Sequence, residues 1–334
     1  MAKMKWGIIS TALIGTAKVI PGMQQSPECE VVAIGSRSLD KAKAAAAKLG
    51  IPKAYGSYEE LLADPEIEAV YNPLPNDLHV PLSIQALEAG KHVLCEKPIS
   101  MSVSELDALI AARDRSGKQC VEAFMVRHHP QWQRARELAK SGALGRVRAV
   151  SGLFTYFLRD PNNIRNIPEN GGGGIYDIGC YPIVTSRYVF GEEPTRVAAI
   201  VERDPDFGTD RLASVLLDFP SGQAAFICST QLVPYQRMHI SGEKGRVEVE
   251  IPFNAPPDKP CRIFIDDGKL LADGNRKVEE FPICDQYTLQ GTAVSRLFRR
   301  GESGEFPLED AVKNMAVIDA VLKAGETRQW VELG

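Results

Sequence analysis

Three side chains of this sequence could perform acid–base chemistry together. Lys97 lies in the stretch HVLCEKPIS, and Asp177 and Tyr181 lie in the stretch GGGGIYDIGCYP. Because Asp177 and Tyr181 are four residues apart, a helix would place both on one face. A carboxylate and a phenol there could bind a polyol and move a proton, provided that cationic neighbours lower the phenol pKa from its usual value of about 10. The alternative is structural: Asp177 caps the helix and Tyr181 is a core aromatic residue.

Lys97 follows a short apolar run that predicts a β-strand. The carboxyl ends of strands in open α/β sheets are where ligands bind. Pro98 disfavours the helical conformation at Lys97 and can restrict the direction of its side chain. A lysine there could orient a reacting oxygen or act as acid or base. The alternative is a solvated ion pair with its neighbour Glu96, which is the more common fate of such residues.

A phosphate-binding loop is indicated by GIISTALIG, residues 7–15, between a predicted strand and a predicted helix. It aligns as Ser10-x-Ala12-x-x-Gly15 with the dinucleotide-binding pattern G-x-G-x-x-G. We expect a turn at Ser10 that avoids left-handed dihedral angles, with its hydroxyl available to a phosphate. Ala12 leaves room for the pyrophosphate, and Gly15 lets the helix pack closely on the strand. The alternative is an ordinary strand–loop–helix connection with small residues.

The end of the second predicted strand bears on the choice of cofactor. In NAD-binding units an acidic residue there holds the ribose hydroxyl, whereas an arginine accommodates the extra phosphate of NADP. Here the strand ends in GSRSLDKAK, which places Ser36 and Arg37 at this point and no acid before Asp40. A guanidinium beside hydroxyl groups suits a phosphate dianion. This pattern favours NADP, with a solvated loop arginine as the alternative.

Further polar residues precede the glycine-rich segment. In DPNNIRNIPEN, Asn163 and Arg165 could hydrogen-bond a sugar, although asparagine is also a common turn residue. Upstream, RHHP contains Arg127 and His128. Adjacent histidines on a strand would point to opposite faces, and no third ligand accompanies them at helical spacing. We therefore expect no metal site, while one histidine could still face a substrate.

Composition bounds the class of protein. The net charge of −4 gives no electrostatic reason to expect nucleic acid or an anionic membrane as partner. No run approaches the roughly 20 apolar residues of a transmembrane helix. No small-residue cleavage site follows MAKMKWGII, so we expect no signal peptide. The seven scattered cysteines include no CxxC pair, which argues against a disulfide framework and favours the cytoplasm.

The elements that must position these residues fall into two parts. With 334 residues, the chain is long enough for two domains. Strand-like and helix-like stretches alternate up to residue 124, which predicts an α/β Rossmann domain with a doubly wound parallel sheet. Residues 125–334 contain successive strand-like stretches, which predict an α+β domain with an antiparallel sheet. We expect the first helix to end near Pro21 and the last at Gly325.

Four motifs of the chain have an order and spacing that resemble those of one family. They are the phosphate loop, NPLPNDLH at Asn72 to His79, EKP, and GGGGIYDIGCYP. The family is the glucose–fructose oxidoreductase / inositol dehydrogenase / MocA family, or Gfo/Idh/MocA family, of NAD(P)-dependent oxidoreductases. The resemblance implies a Rossmann domain followed by a domain with a large, open, mostly antiparallel sheet. Lys97, Asp177 and Tyr181 match the family's catalytic positions. Tyrosine instead of histidine at 181 resembles the branch of the dimeric dihydrodiol and the NADP-dependent D-xylose dehydrogenases.

The resemblance implies hydride transfer between NADP and a sugar-like substrate, in a homodimer formed through the open sheet. Tyr181 would be the acid/base, Lys97 its assistant and Asp177 the residue that orients the substrate. The implied substrate contacts are Arg127, His128, Asn163, Arg165, Asp177 and Tyr181. The implied cofactor contacts are Ser10, Thr11, Ala12, Ile14, Ser36, Arg37, Asn72, Pro73, Leu74, Asn76, His79, Glu96 and Lys97. Two alternatives remain: a non-catalytic NADP-responsive sugar sensor, and redox-neutral glycoside cleavage or epimerisation through transient nicotinamide oxidation.

Overall fold

The computed structural model describes residues 2–270 and 274–334. The first of its two sheets confirms the α/β class that we expected for the first domain. Six strands pair in parallel in the order β3-β2-β1-β4-β5-β6, which is the Rossmann order. The apolar sequences of β1, β2, β4 and β5 are largely buried, as in parallel sheets that are covered on both faces. The strands are β1 Met4–Ile9, β2 Cys29–Gly35, β3 Lys53–Tyr55, β4 Ala69–Asn72, β5 His92–Cys95 and β6 Cys120–Glu122.

Helices follow these strands in alternation. They are α1 Ile20–Gln25, preceded by a π-helical turn Gly15–Val19, then α2 Leu39–Leu49, α3 Tyr58–Ala63, α4 His79–Glu88 and α5 Val103–Ser116. The expectation that the first helix ends near Pro21 was wrong, because helical structure continues to Gln25. Pro21 occupies the first turn of α1, where its missing N–H does not interrupt the helix.

The second sheet has nine strands in the order β14-β13-β12-β11-β7-β10-β9-β8-β15. Among the strand pairs of the described residues in this sheet, β7 with β10 alone is parallel, so the predicted mostly antiparallel sheet is confirmed. The strands are β7 Val147–Phe157, β8 Arg196–Arg203, β9 Asp210–Phe219, β10 Gly222–Ser229, β11 Gln231–Gly242, β12 Arg246–Val249, β13 Cys261–Asp266, β14 Lys277–Phe281 and β15 Val331–Glu332.

The later helices are α6 Pro130–Lys140, α7 Cys180–Phe190, α8 Gln286–Arg300 and α9 Leu308–Thr327. A π-helical turn, Ile175–Gly179, leads directly into α7. The expectation that the last helix ends at Gly325 was wrong, since α9 continues to Thr327. A Cβ at position 325 would lie 2.4 Å from Val201 Cγ2, so the glycine there permits close packing on β8.

The chain forms two compact units, residues 1–125 with 285–312, and residues 126–284 with 313–334. The expected division assigned the whole segment 125–334 to the second domain. The structure instead packs α8 in the first unit, where the Trp6 indole N–H donates to Ser295 Oγ at 3.1 Å. The Phe298 ring also stacks on His92 at 4.7 Å. Within the described ranges, no helix is both long and apolar enough to cross a membrane.

Candidate functional site

The phosphate-loop sequence follows β1 and starts the first helix, as predicted. The expectation that Ser10 avoids left-handed dihedral angles was wrong, because its φ is +110°. Two hydrogen bonds hold the turn: Ser10 N–H donates to Gly35 O at 3.0 Å, and Ser10 Oγ accepts from Ala12 N–H at 3.0 Å. The hydroxyl therefore stabilises a conformation that glycine would adopt more easily.

The rest of this loop has little steric need for glycine. Thr11, Ala12 and Ile14 are half-buried, and the Thr16 N–H donates to Ala12 O at 3.0 Å to begin the helix. A Cβ on Gly15 would lie 3.6 Å from Pro73 Cγ, which is ordinary van der Waals contact. The expectation that position 15 needs glycine for close helix–strand packing is therefore not supported by the geometry.

Ser36 and Arg37 lie at the carboxyl end of β2, the edge expected for a nucleotide ribose. Arg37 is exposed and hydrogen-bonds Tyr58, whose pKa is raised by burial and lowered in part by this arginine. Ser36 is buried, and its hydroxyl accepts from Ser38 N–H at 3.3 Å. The guanidinium at this edge fits a phosphate, since the adjacent residues Ser36 and Ser38 add hydroxyl groups and no carboxylate.

Two residues of NPLPNDLH have their polar groups occupied by the protein itself. Asn72 is fully buried, and its amide donates to His79 O at 3.1 Å and to Ser83 Oγ at 3.2 Å. The ring nitrogens of His79 lie 2.8 Å from Leu74 O and 2.8 Å from Pro98 O. Burial lowers the pKa of His79 to about 4, although both carbonyl groups favour the protonated ring. These side chains therefore join the loops that follow β4 and β5.

The EKP segment lies at the carboxyl end of β5. The peptide bond between Lys97 and Pro98 is cis. The Tyr71 hydroxyl donates to Glu96 Oε1 at 2.6 Å from a fully buried position. Lys97 is half-buried, and its charge contributes to the low pKa of His79. In the first unit, Lys97 follows β5, and the loop that contains Pro73, Leu74 and Asn76 follows the neighbouring strand β4. Both therefore lie at the carboxyl edge of the first sheet.

In the second unit, Asp177 is the centre of a polar cluster. Its Oδ2 accepts from the Tyr156 hydroxyl at 2.5 Å and pairs with Arg165 Nε at 2.9 Å. Burial first, then the Asp177 charge, raises the pKa of Tyr156 well above its usual value. The charges of Asp177 and Tyr181 both contribute to a raised pKa of Arg165. Arg165, Asp177 and Tyr181 therefore lie close to one another, and their contact with a substrate stays a prediction.

Tyr181 has an apolar body among other aromatic rings. Its ring lies edge-on to Phe154 at 5.8 Å and tilted against Phe253 at 5.4 Å. Phe154 and Phe253 also stack on each other at 4.7 Å. Only 6% of Tyr181 is exposed. Such packing restricts the ring to one position, which a residue that moves a proton at a defined atom requires.

The glycine-rich segment allows a buried carboxylate to approach the backbone. Asp210 Oδ2 accepts from Ile175 N–H at 2.7 Å. Gly173 has φ +119°, and a Cβ there would lie 2.0 Å from Asp210 Oδ1. A Cβ at Gly172 would lie 2.7 Å from the carbonyl oxygens of Arg165 and Ile167. Burial raises the pKa of Asp210 to about 7, and the N–H of Ile175 opposes that rise.

The other predicted substrate contacts have local roles. Asn163 Oδ1 accepts from Arg165 N–H at 3.1 Å and starts a short 3₁₀ turn. His128 lies in a 3₁₀ helix, Met125–His128, and not on a strand. Burial first, and then the charge of Arg127, lowers the pKa of His128 to about 4. Arg127 itself is buried.

Sequence reasoning did not identify Tyr156 or Asp210. Tyr156 lies near the end of β7, in a stretch that reads only as an aromatic strand, and it also lines a groove of about 830 Å³. Asp210 is the first residue of β9 and lies 35 residues after Ile175, whose N–H donates to its carboxylate. The glycine run was the available signal, because consecutive glycines indicate close approach by another group.

Comparisons with known proteins identify the family of the chain. Residues 4–124 match the model described as an oxidoreductase family with an NAD-binding Rossmann fold. Residues 132–248 match the GFO/IDH/MocA C-terminal domain. An uncharacterized oxidoreductase of Rhizobium meliloti is 47% identical over 331 residues, covering 99% of each chain. A D-xylose 1-dehydrogenase (NADP+) of Haloferax volcanii is 39% identical over 332 residues, covering 99% of this chain and 100% of the relative.

A solved structure with a similar fold is the aldose–aldose oxidoreductase of Caulobacter crescentus in complex with glycerol. It superposes with a TM-score of 0.91 at 27% sequence identity. The match covers 99% of this chain and 100% of that one. The matches to these three proteins span nearly whole chains, so the similarity to oxidoreductases includes both units.

Proposed function

The chain belongs to the Gfo/Idh/MocA family of oxidoreductases, and from that premise we propose that it is an NADP-dependent dehydrogenase of sugar-like substrates. The substrate would be an aldose such as D-xylose or D-glucose, or a related cyclic polyol or dihydrodiol. One observation carries the proposal. Asp177 lies on the same helical segment as Tyr181, and Tyr156 and Arg165 both hydrogen-bond its carboxylate. Retention of Lys97, Asp177 and Tyr181 speaks against a sensor, which has no chemical need for acid/base residues.

Each residue has one role in this proposal. Tyr181 removes or returns the proton of the reacting hydroxyl, and Lys97 hydrogen-bonds that same oxygen and lowers the pKa of Tyr181. Asp177 orients a substrate hydroxyl, and Tyr156 and Arg165 hold its carboxylate in place. NADP, when bound, supplies the hydride acceptor or donor.

The preference for NADP rests on Arg37. An exposed guanidinium at the end of β2, flanked in the sequence by Ser36 and Ser38 and not by an acidic residue, suits the 2′-phosphate. The name of the Haloferax relative, which includes NADP+, supports the same choice. The strained turn at Ser10 and the start of the following helix would face the pyrophosphate.

Turnover measurements test the proposal against its two alternatives. The purified protein is incubated with NADP+ and a panel of aldoses and trans-dihydrodiols, and absorbance is followed at the nicotinamide band. We expect formation of NADPH with at least one aldose. Binding of NADP+ and sugar without turnover would support a sensor. A changed sugar or cleaved glycoside with no net NADPH would support the redox-neutral reaction.

We also propose that two copies of the chain associate through the open face of the nine-stranded sheet. One row of cross-strand neighbours on this face consists of Ile200, Ser214, Ile227 and Leu153. Ile200 is 78% exposed, although side chains of this type are normally buried. The face forms a groove of about 1160 Å³ that Trp330 also lines. A contiguous apolar surface of this kind marks an interaction site.

A further inference from the structure

Asp210 is a buried carboxylate that the proposed reaction does not use. It opens β9, and only 3% of it is exposed. Its carboxylate accepts from the backbone N–H groups of Ile175 and Gly174. These amides lie at the start of the segment that carries Asp177 and leads into α7 with Tyr181. A carboxylate at a helix start satisfies amides that have no partner within the helix.

The chain around Asp210 accommodates the carboxylate by omitting side chains. A Cβ at Gly173 would lie 2.0 Å from Asp210 Oδ1, and one at Gly174 would lie 3.2 Å from Oδ2. Gly173 also has a φ of +119°, which residues with a side chain rarely adopt. The absence of side chains at Gly173 and Gly174 therefore leaves the space that the Asp210 carboxylate occupies.

We infer that Asp210 is a positioning residue that holds Asp177 and Tyr181 in their reactive arrangement, an inference that rests on the proposed function. Asp210 contacts neither substrate nor cofactor in this account. It acts through the backbone of Gly174 and Ile175, which ties the first turn before α7 to β9. Asp177 follows Ile175 by two residues, so a shift of that turn moves its carboxylate directly. A misplacement of about 1 Å can lower a rate by roughly 100-fold.

Asp204 provides a matched control within the same unit. It is 1% exposed and accepts from Asp206 N–H at 2.8 Å and Phe207 N–H at 3.1 Å. It thus also caps a backbone turn with a buried carboxylate, but its turn joins β8 to β9 and carries none of the proposed catalytic residues. Both variants therefore change a buried carboxylate that accepts from backbone amides. Asp204 differs in that it also accepts from Gln231 Nε2 and pairs with Arg159 and Arg211.

The experiment compares these two variants with the wild type in melting temperature, kcat and KM, and backbone amide exchange measured by mass spectrometry. Asn at position 210 keeps the shape but turns an NH₂ group toward one of the two amides. We expect Asp210→Asn to lower kcat by about 10- to 100-fold with the KM for NADP+ unchanged, and to speed exchange in residues 171–179. Asp204→Asn should lower the melting temperature but retain wild-type kcat and the wild-type exchange rate of that segment.

Equal effects of the two variants on kcat and on exchange would overturn the inference and make Asp210 an ordinary stabilising cap. If Asp210→Asn does not fold, Asp210→Ser replaces it, because serine still accepts one amide hydrogen. The exchange measurement needs no substrate. If the wild type turns over no sugar, the proposed function fails, while unchanged exchange at residues 171–179 in an active enzyme contradicts only the role of Asp210.

Discussion

At the scale of single residues, Ser10 has a backbone conformation that suits glycine. Its φ of +110° is unusual for a residue with a Cβ, and its hydroxyl accepts from Ala12 N–H. Both Ser10→Ala and Ser10→Gly lose this hydrogen bond. The alanine variant keeps the backbone strain, whereas the glycine variant relieves it. We expect Ser10→Gly to be more stable than Ser10→Ala by about 1 kcal/mol. Denaturant unfolding measures the difference, and an alanine variant as stable as the glycine variant would show that the turn is unstrained.

Arg37 determines the cofactor in this account. Removing a charge-assisted contact to a phosphate costs about 1.5–3 kcal/mol, or roughly 10- to 150-fold in affinity. We therefore expect Arg37→Ala to raise the KM for NADP+ by that factor and to leave the KM for NAD+ nearly unchanged. Lys48→Ala, at the far end of α2, removes a charge of the same sign and should change neither constant. An equal effect of Arg37→Ala on both cofactors would remove the argument for NADP.

At the scale of elements, α8 packs against α1 in the first unit although residues 126–284 of the second unit precede it in the chain. Gly22 makes this contact possible, because a Cβ there would lie 2.8 Å from Tyr287 Cβ and 3.1 Å from Thr288 N. We expect Gly22→Ala to lower the free energy of unfolding by about 1–3 kcal/mol through overpacking.

Gly15→Ala is the control for this prediction. Gly15 is also helical, but a Cβ there meets only ordinary contacts at 3.6 Å. Its replacement by alanine should therefore be neutral or stabilise the helix by up to about 1 kcal/mol. Thermal unfolding of both variants without cofactor measures the contrast. Equal melting temperatures would mean that α8 does not pack against Gly22 as described.

The elements themselves were largely predictable, since alternating strand and helix periods define the Rossmann unit before residue 124. The contacts of α8 were not predictable. The apolar periodicity of Gln286–Arg300 indicates a helix but does not say which distant elements that helix packs against. The same limit applies within the site. The spacing of Asp177 and Tyr181 was visible, whereas Tyr156 and Asp210 reach them only through the pairing of β7, β9 and β10.

At the scale of the whole molecule, the open face of the nine-stranded sheet predicts association. Ile200 on β8 is 78% exposed, and we expect Ile200→Arg to convert a dimer into a monomer, because a charge there would be buried without a partner. Light scattering coupled to size-exclusion chromatography measures the mass. Ile283→Arg, at an exposed position outside the strands, should leave the mass unchanged. A monomeric wild type would contradict the proposed interface.

The proton transfer assigned to Tyr181 is the central claim, and one comparison of variants tests it most directly. Tyr181→Phe keeps the ring among Phe154 and Phe253 and removes only the hydroxyl. Tyr188→Phe makes the same change later in α7, where Arg136 lies 4.1 Å above the ring. With NADP+ and the best aldose, Tyr181→Phe should lower kcat by about 10²- to 10⁴-fold, and Tyr188→Phe should leave kcat close to wild type. A Tyr181→Phe enzyme with near-wild-type kcat would contradict the account.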